Sequence, residues 1–371
     1  MKRAPVLLLL TLLGLSACAQ APEVPVLAHP NGEFIFAPGS TSFPSSHAST
    51  NVELNNGDIL AAWFGGTHEG APDVAIWMAH FHAGHWSAPV EIAREHEIPT
   101  WNPVLFHTLD GRLWLYYKAG ENAASWSASR RVSTDQGKTW SAPERLPAGL
   151  LGPIRAKPLV MADGTIVAGS SVEAYKTWAC WIERSTDGGV TWKKIGPITL
   201  TEAQDQAEPH IVDMRIADPK LRQKQIDERD FKGIIQPTVV SLGGQHLRLY
   251  ARSLSRAAKI VVADSHDGGQ TWSKTRFLQV PNNNSGLDVV VLRDGRVVLL
   301  CNNVPYGRTP LTLLVSRDGE HFKPFATLED APGEYSYPAL IQRRDGDLEM
   351  TYTWQRTTIK HVHLKLSEVP R

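Results

Sequence analysis

A turn signal between two apolar runs recurs six times along this chain, and this repeat restricts the fold more than any other feature. The copies carry Asn-Gly, Asp-Gly or Gly-Gly, with turn glycines at Gly57, Gly111, Gly164, Gly244, Gly295 and Gly346. Successive glycines lie 54, 53, 80, 51 and 51 residues apart, so one interval contains an insertion. Asn-Gly and Asp-Gly tolerate positive φ at both turn positions, which a two-residue hairpin requires. Each copy therefore predicts a β-hairpin.

A second motif runs in phase with the first and centres on an aspartate. Full copies are Ser133-Thr-Asp-Gln-Gly-Lys-Thr-Trp140, Ser185-Thr-Asp-Gly-Gly-Val-Thr-Trp192 and Ser265-His-Asp-Gly-Gly-Gln-Thr-Trp272, with degraded copies at Ser316-Arg-Asp-Gly-Glu-His-Phe322 and Gly84-His-Trp86. In this motif, the Asp-box, the Asp accepts hydrogen bonds from its own turn, the Gly supplies a left-handed residue and the Trp packs under the hairpin. We interpret it as architectural and remote from chemistry.

Two hairpins per unit of about 50 residues predict a four-stranded antiparallel blade. Six such units predict an all-β fold, a six-bladed β-propeller, because radial repetition protects the sheet edges. We assign residues 39–371 to this single domain and expect residues 26–38 to supply the strand that closes the last blade. The polar insertion, residues 201–232, predicts a short surface helix or a loop over the channel.

The N-terminal 17 residues have the pattern of a targeting segment. Lys2 and Arg3 precede an apolar run that is too short to span a bilayer. The stretch Leu15-Ser16-Ala17-Cys18 resembles the bacterial lipoprotein signal, in which the Cys is lipidated. This implies a signal peptide over residues 1–17, an anchor linker within residues 18–38, and an outer-membrane lipoprotein facing the periplasm or the cell surface. An ordinary cleaved signal peptide is the alternative.

Composition excludes several partners and cofactors. Lys and Arg together number 38, as do Asp and Glu, and no basic run is present, so we expect no nucleic acid. Beyond Cys18, the two cysteines Cys180 and Cys301 have neither metal-site nor disulfide-framework spacing and are interpreted as buried thiols. We expect no metal, no organic cofactor, a monomer, and membrane contact only through the lipid anchor.

Polar residues recur where the innermost strands should meet at the channel mouth. Before each repeated Pro, or an Ala in its place, stand His47, Asn102, Lys157, Gln236 and Tyr337, with Ser285 or Asp288 in the fifth blade. The ends of the next strands carry Thr67-His68-Glu69, Lys118, Glu173, Arg252, Asn302-Asn303 and Trp354-Gln355-Arg356. Polar groups converging on a concave mouth are typical of a small-molecule site, although single residues could merely hydrate the channel.

From about residue 40 to its end, the chain resembles the sialidase (neuraminidase) superfamily, in its bacterial BNR-repeat branch. The resemblance rests on Tyr250-Ala-Arg252-Ser, Tyr306-Gly-Arg308-Thr-Pro-Leu and Tyr337-Pro-Ala-Leu340, together with the Asp-boxes. It implies that Arg252 and Arg308 bind a sugar carboxylate and that Tyr337 is the nucleophile. A guanidinium fork matches a planar anion, and a neutral phenol approaches an anionic substrate without repulsion.

The first half of the chain departs from the family pattern. Ser46-His47-Ala48-Ser49 stands where the family has its first triad Arg, and the Glu expected before Gln236 is absent. We therefore expect Lys118, Lys157 or Arg155 to assist the carboxylate grip, with Asn102, Gln236 and Trp354 also binding substrate. The best base for Tyr337 is Glu173, with Glu334 behind it. On the acid-bearing loop, the phase favours Glu69 over Asp73, which could cap a turn.

The resemblance implies a glycoside hydrolase, an exo-α-sialidase that removes a terminal sialic acid or related acidic sugar from glycans with retention. Two alternatives stay open. In a polysaccharide lyase acting beside a uronate, His47 and Tyr337 would be the acid and base, with Arg252 or Arg308 neutralising the carboxylate. In a non-catalytic glycan-binding lipoprotein, the same ring would hold sugar without cleaving it.

Overall fold

The computed structural model describes residues 32–174, 176–209, 217–227 and 231–371. The predicted signal segment, residues 1–17, and the predicted lipidation site Cys18 lie outside these residues. Within them, no helix is both long and apolar enough to cross a membrane. Cys180 and Cys301 are buried and unbridged, which confirms their prediction as buried thiols.

The described chain forms 25 strands, which group into six antiparallel units. Strand β1 (Gly32–Phe34) precedes them. The first unit contains β2 (Ser45–Glu53), β3 (Ile59–Gly66), β4 (Ala75–His82), β5 (His85–Trp86) and β6 (Val90–Ala93). The second contains β7 (Thr100–His107), β8 (Leu113–Ala119), β9 (Ser127–Ser133) and β10 (Glu144–Arg145). The third contains β11 (Leu159–Val160), β12 (Ile166–Glu173), β13 (Trp178–Ser185) and β14 (Lys193–Ile198).

The remaining units follow after the insertion. The fourth contains β15 (Gly233–Gly243), β16 (His246–Leu254), β17 (Lys259–Ser265) and β18 (Arg276–Pro281). The fifth contains β19 (Asp288–Val291), β20 (Val297–Cys301), β21 (Leu311–Ser316) and β22 (Lys323–Glu329). The sixth contains β23 (Tyr335–Gln342), β24 (Leu348–Trp354) and β25 (Thr358–Leu364), with β1 paired antiparallel to β25 as its fourth strand.

The six predicted hairpins are confirmed. Each turn glycine lies between the first two strands of its unit, and all six have positive φ, from 56° at Gly244 to 105° at Gly346. The residue before the glycine has positive φ only at Gly243, so the predicted two-residue turn with positive φ at both positions is wrong for the other five hairpins. The aspartate turns are also hydrogen-bonded as the sequence predicted. Asp267, for example, accepts from the Thr271 amide at 2.9 Å and the Thr271 hydroxyl at 2.6 Å. These bonds fix the loop between the third and fourth strands of the unit.

The insertion contains two helices, α1 (Glu202–Gln206) and α2 (Pro219–Asp227). Asp205 of α1 is fully buried and accepts from the amides of Arg256 and Ala257, which fastens the helix to the fourth unit. A single parallel pairing between Trp178 and Gly233 joins the third and fourth units into one eight-stranded sheet. The predicted surface helix is present as α2, whose residues up to Gln223 are mostly exposed.

Consecutive units are neighbours in space, and the sixth lies beside the first. The inner strand β15 contacts β12 and β19, while β2 contacts both β7 and β23. Hydrogen bonds join the first and sixth units, from the Ala48 amide to Thr353 Oγ1 at 3.1 Å and from Asn51 to the Glu349 carbonyl at 3.3 Å. These bonds tie β2 of the first unit to β24 of the sixth.

Candidate active site

Four inner strands carry the same backbone kink near their start. In β2, β7, β15 and β23, two residues oppose one on the partner strand, which defines a β-bulge. The first bulge residues are Ala48, Asn102, Gln236 and Tyr337, whose φ values are 57°, 35°, 54° and 52°. Positive φ is uncommon outside glycine and costs free energy. At this shared register, Gln236 Nε2 comes within 3.5 Å of the Tyr337 phenol oxygen, and Ala48 packs in the same core cluster as Tyr337.

This register corrects the predicted alignment of the first unit. His47 pairs with Phe64 and directly precedes the bulge, so it corresponds to Ser336 rather than to Tyr337. Ala48 occupies the kink instead. The other three kink residues precede a Pro, whereas Ala48 precedes Ser49, so the sequence offered no mark for the correct register.

Tyr337 is the centre of the site. Its phenol oxygen accepts a hydrogen bond from Arg252 Nη1 at 2.7 Å, and Gln236 Nε2 lies 3.5 Å away. The His47 ring lies against the phenol ring, with 4.3 Å between centroids. Gly286 packs closely against Tyr337, since a Cβ at Gly286 would lie only 3.3 Å from Tyr337 Cγ. Tyr337 is 8% exposed, so its environment is fixed by these neighbours.

Three guanidinium groups surround the Tyr337 ring. The guanidinium carbons of Arg155, Arg252 and Arg308 lie 5.4, 5.7 and 5.8 Å from the ring centroid. Arg155 is buried and donates to the backbone carbonyls of Leu287 and Pro338. Burial lowers the pKa of Arg155. Arg155 therefore adds positive charge beside the ring, with both of its terminal nitrogens donating to the backbone.

Two glutamates pair with the arginines on the open side of Tyr337. Glu334 bonds Arg308 Nη1 at 2.6 Å and Arg356 Nε at 2.8 Å. Burial alone would raise the pKa of Glu334, but Arg308 and Arg356 outweigh it and lower the pKa. Glu69, on the loop between β3 and β4, bonds Arg356 Nη1 at 2.5 Å. The predicted acid is thus inside the site and engaged with an arginine.

Glu173, the predicted base, lies on the other side of Gln236. Gln236 Nε2 is 3.4 Å from Glu173 Oε1, and Gln236 Oε1 accepts from Arg252 at 3.1 Å. Gln236 therefore links Glu173, Arg252 and Tyr337. Burial raises the pKa of Glu173, with Arg252 and Gln236 opposing the rise. A carboxyl with a raised pKa is better suited to accepting a proton than an ordinary carboxylate.

His47 is held neutral within this cationic cluster. Burial, followed by Arg356, Arg308, Arg252 and Arg155, lowers its pKa well below 6.5. Among the described residues, neither ring nitrogen has a hydrogen-bond partner. The predicted loss of the first triad Arg thus leaves a buried neutral imidazole beside Tyr337.

Two predicted lysine ligands are elsewhere. Lys118 is fully buried and donates to the Pro153 carbonyl at 2.6 Å, because its strand end faces the packing between the second and third units. Lys157 is drawn to Asp288, 3.7 Å away. Lys157 and Asp288 line a cavity of about 530 Å³ that Ser241 and Gln342 also line, at the opposite ends of β15 and β23 from the site.

Three other predicted residues have packing or capping contacts. Asp73 accepts from the Thr67 amide at 3.0 Å and the Thr67 hydroxyl at 2.8 Å, so it caps the loop that carries Glu69. Trp354 packs its ring edge against Phe34, 5.1 Å between centroids, in the sixth unit. Asn102 is buried at its kink position.

The sequence alone did not assign a role to Arg356, although Arg356 was noted with Trp354 at the end of a predicted strand. It follows β24 in a tight turn where Gln355 and Arg356 have φ of 51° and 55°. The Arg356 carbonyl accepts from the Ser46 amide at 2.8 Å, which ties this turn to the strand carrying His47. Consecutive non-glycine residues with positive φ have no local sequence signal, so the direction of this side chain was not predictable.

A tyrosine set among arginines, on an all-β frame of repeated antiparallel sheets, defines a sialidase-like protein. The family model described as a BNR repeat-like domain matches residues 57–350, and the chain belongs to this family. Comparison with curated proteins gives no significant match.

Solved structures share the fold at low identity. A mutant of the NanB sialidase from Streptococcus pneumoniae superposes with a TM-score of 0.68 at 14% identity, covering 91% of this chain and 71% of that one. A protein of unknown function from Dyadobacter fermentans gives 0.70 at 17%, covering 93% and 100%. The leech intramolecular trans-sialidase gives 0.64 at 14%, covering 91% and 70%.

Proposed function

We propose that this protein is a retaining exo-glycosidase that removes a terminal sialic acid or a related acidic sugar from glycans. The observation that carries the proposal is the 2.7 Å hydrogen bond from Arg252 to the Tyr337 phenol, with Arg155 and Arg308 beside the same ring. Cationic groups around a phenol stabilise both its phenolate and an approaching carboxylate. We also propose that the six units are the blades of one closed propeller with this site at one end.

In the proposed reaction, Tyr337 attacks the anomeric carbon as the glycosidic C–O bond breaks. Glu173 takes the phenol proton, and Glu69, in its protonated form, gives a proton to the leaving oxygen. Water then gives a proton to Glu69 and attacks the same carbon, while the bond from that carbon to the Tyr337 oxygen breaks and Glu173 returns its proton to the phenolate. Two displacements at one carbon retain the anomeric configuration. Arg252 and Arg308 bind the sugar carboxylate throughout. Because the phenol of Tyr337 is neutral, it approaches this carboxylate without repulsion.

The test is release of methylumbelliferone from its sialic acid glycoside by the purified protein and by Tyr337→Phe. We expect release by wild type and a loss of at least about a thousandfold in the variant. Tyr117→Phe, which removes a phenol bonded to Glu95 outside the site, is the matched control and should keep wild-type activity. No release by well-folded wild type would contradict sialidase activity.

The His47–Tyr337 contact favours one second candidate, a lyase that acts beside a uronate. The two rings are 4.3 Å apart, and a neutral imidazole can accept a proton. Elimination leaves an unsaturated sugar that absorbs in the ultraviolet, whereas hydrolysis leaves a saturated one. Incubation with uronate-containing polysaccharides, followed by absorbance, separates the two reactions, and an unchanged glycan would support binding alone.

We further propose export and lipid attachment at Cys18, in the outer membrane, with the glycan as substrate and a monomeric enzyme. The sequence of the first 18 residues supports export and lipid attachment. Metabolic labelling with a fatty-acid analogue should mark wild type but not Cys18→Ser.

A further inference from the structure

Arg356 is placed to bind a ligand as well as its two glutamates. Its side chain is 32% exposed and that of its partner Glu69 is 35% exposed, so their ion pair faces the open side of the site. Its other partner, Glu334, also bonds Arg308, whose guanidinium lies beside the Tyr337 ring. The guanidinium groups of Arg308 and Arg356 are therefore bridged by one carboxylate.

The backbone independently places Arg356 near Tyr337. The Arg356 carbonyl accepts from the Ser46 amide, directly before His47, and the His47 ring contacts Tyr337. Among the four arginines whose charges lower the pKa of His47, Arg356 has the largest effect. Arg252 bonds the Tyr337 phenol, Arg308 lies beside the phenol ring, and Arg356 is joined to Arg308 through Glu334, which makes Arg356 the third arginine of this network. The third arginine comes from the turn after β24 instead of from β2, where His47 stands.

The Glu69–Arg356 ion pair conflicts with the proposed role of Glu69. A guanidinium at 2.5 Å stabilises the carboxylate form, whereas a general acid must carry a proton. Glu69 also interacts unfavourably with Glu173, since each charge repels the other.

We propose that the carboxylate of an acidic sugar displaces Glu69 from Arg356, and that the displaced Glu69 takes up a proton from solvent and becomes the acid. This inference rests on the proposed acidic-sugar substrate. In the exchange, one carboxylate replaces another on Arg356, and one proton moves from solvent to Glu69. That proton is later given to the leaving oxygen. A neutral sugar cannot compete with Glu69 for Arg356. Glu69 therefore becomes protonated only when an acidic sugar binds.

Calorimetric binding of the unsaturated sialic acid glycal and of its neutral methyl ester tests this exchange without requiring turnover. We expect Glu69→Gln to bind the acid roughly fivefold tighter, because a competing carboxylate is gone, and Arg356→Gln to bind it roughly tenfold weaker. Affinity for the ester should change in neither variant. Glu91→Gln, which breaks a 2.6 Å pair with Arg94 in the same unit, is the matched control and should bind as wild type.

Proton uptake gives a second readout. Titrations in buffers of different ionisation enthalpy should show uptake of about one proton when wild type binds the acid, and none with Glu69→Gln. Unchanged or weaker binding by folded Glu69→Gln, or no proton uptake by wild type, would overturn the exchange while leaving the acidic-sugar function intact. Wild type that binds neither ligand would overturn both proposals together.

Discussion

The guanidinium of Arg252 donates a hydrogen bond of 2.7 Å to the phenol oxygen of Tyr337. The same side chain donates to Gln236 Oε1 at 3.1 Å and to Asn284 Oδ1 at 2.8 Å. It is therefore fixed by two amides while it contacts the phenol. A fixed donor stabilises negative charge on the oxygen without reorganising during the reaction.

We expect Arg252→Lys to lower kcat/KM on the methylumbelliferyl sialoside by about a hundredfold. A lysine has a single charged end and cannot bond the phenol, Gln236 and Asn284 at once. Arg276→Lys, at an outer-strand ion pair with Glu320, should stay within about twofold of wild type. A similar small change in Arg252→Lys would show that Tyr337 needs no partner there.

The raised pKa of Glu173 predicts the acid side of the pH–rate profile. Burial favours the protonated form, and the proposed base must be ionised, so kcat should rise with pH through a midpoint above 4.5. Glu173→Gln should lower kcat by about a hundredfold or more and remove this rise. Glu144→Gln, whose partner is Arg130 away from the site, is the control. If Glu173→Gln keeps the same rise, another group is the base.

Lys118 should destabilise the fold at neutral and acidic pH instead of binding substrate. Burial lowers its pKa from 10.5 to about 7, so between these values the unfolded chain binds a proton that the folded chain lacks. The free energy of unfolding should therefore rise with pH across this window, by on the order of 5 kcal/mol. Lys118→Met should flatten the rise in urea unfolding and leave glycal affinity within about twofold. Loss of affinity in the folded variant would restore the predicted binding role.

The aspartate turns should contribute stability and no activity. Asp267→Ala removes acceptors for Ser265, Gln270 and Thr271. We expect the free energy of unfolding to fall by about 1–2 kcal/mol with kcat unchanged. Urea unfolding and the sialoside assay measure the two effects, with the exposed Lys274→Ala as control. A large fall in kcat at unchanged stability would be evidence against a purely architectural role.

The turn chemistry of the hairpins is local, which is why the sequence predicted them. Asn-Gly and Asp-Gly at Gly57, Gly111 and Gly295 need only their immediate neighbours to form the turn. Tyr337, Arg252 and Arg308 were identified from the resemblance of their segments to the sialidase superfamily. The structure brings all three together.

The remaining site residues depend on tertiary packing. Lys118 and Lys157 stand at strand positions whose phase fits the site, but packing between units turns them to other surroundings. Arg356 enters because the turn after β24 takes two left-handed residues without glycine. The kink at Ala48 lacks the following Pro that marks the others, so the sequence aligned His47 in its place.

The shared kink gives Ala48, Asn102, Gln236 and Tyr337 equivalent positions in the backbone of their strands. Because the backbone, not the side chain, sets where each one stands, evolution or an engineer can change a group there and keep the frame. Ala48, with only a methyl group, has the smallest of the four side chains. Ala48 is buried in the same core cluster as Tyr337, so a larger residue at Ala48 would displace the neighbours of Tyr337 and change the shape of the site.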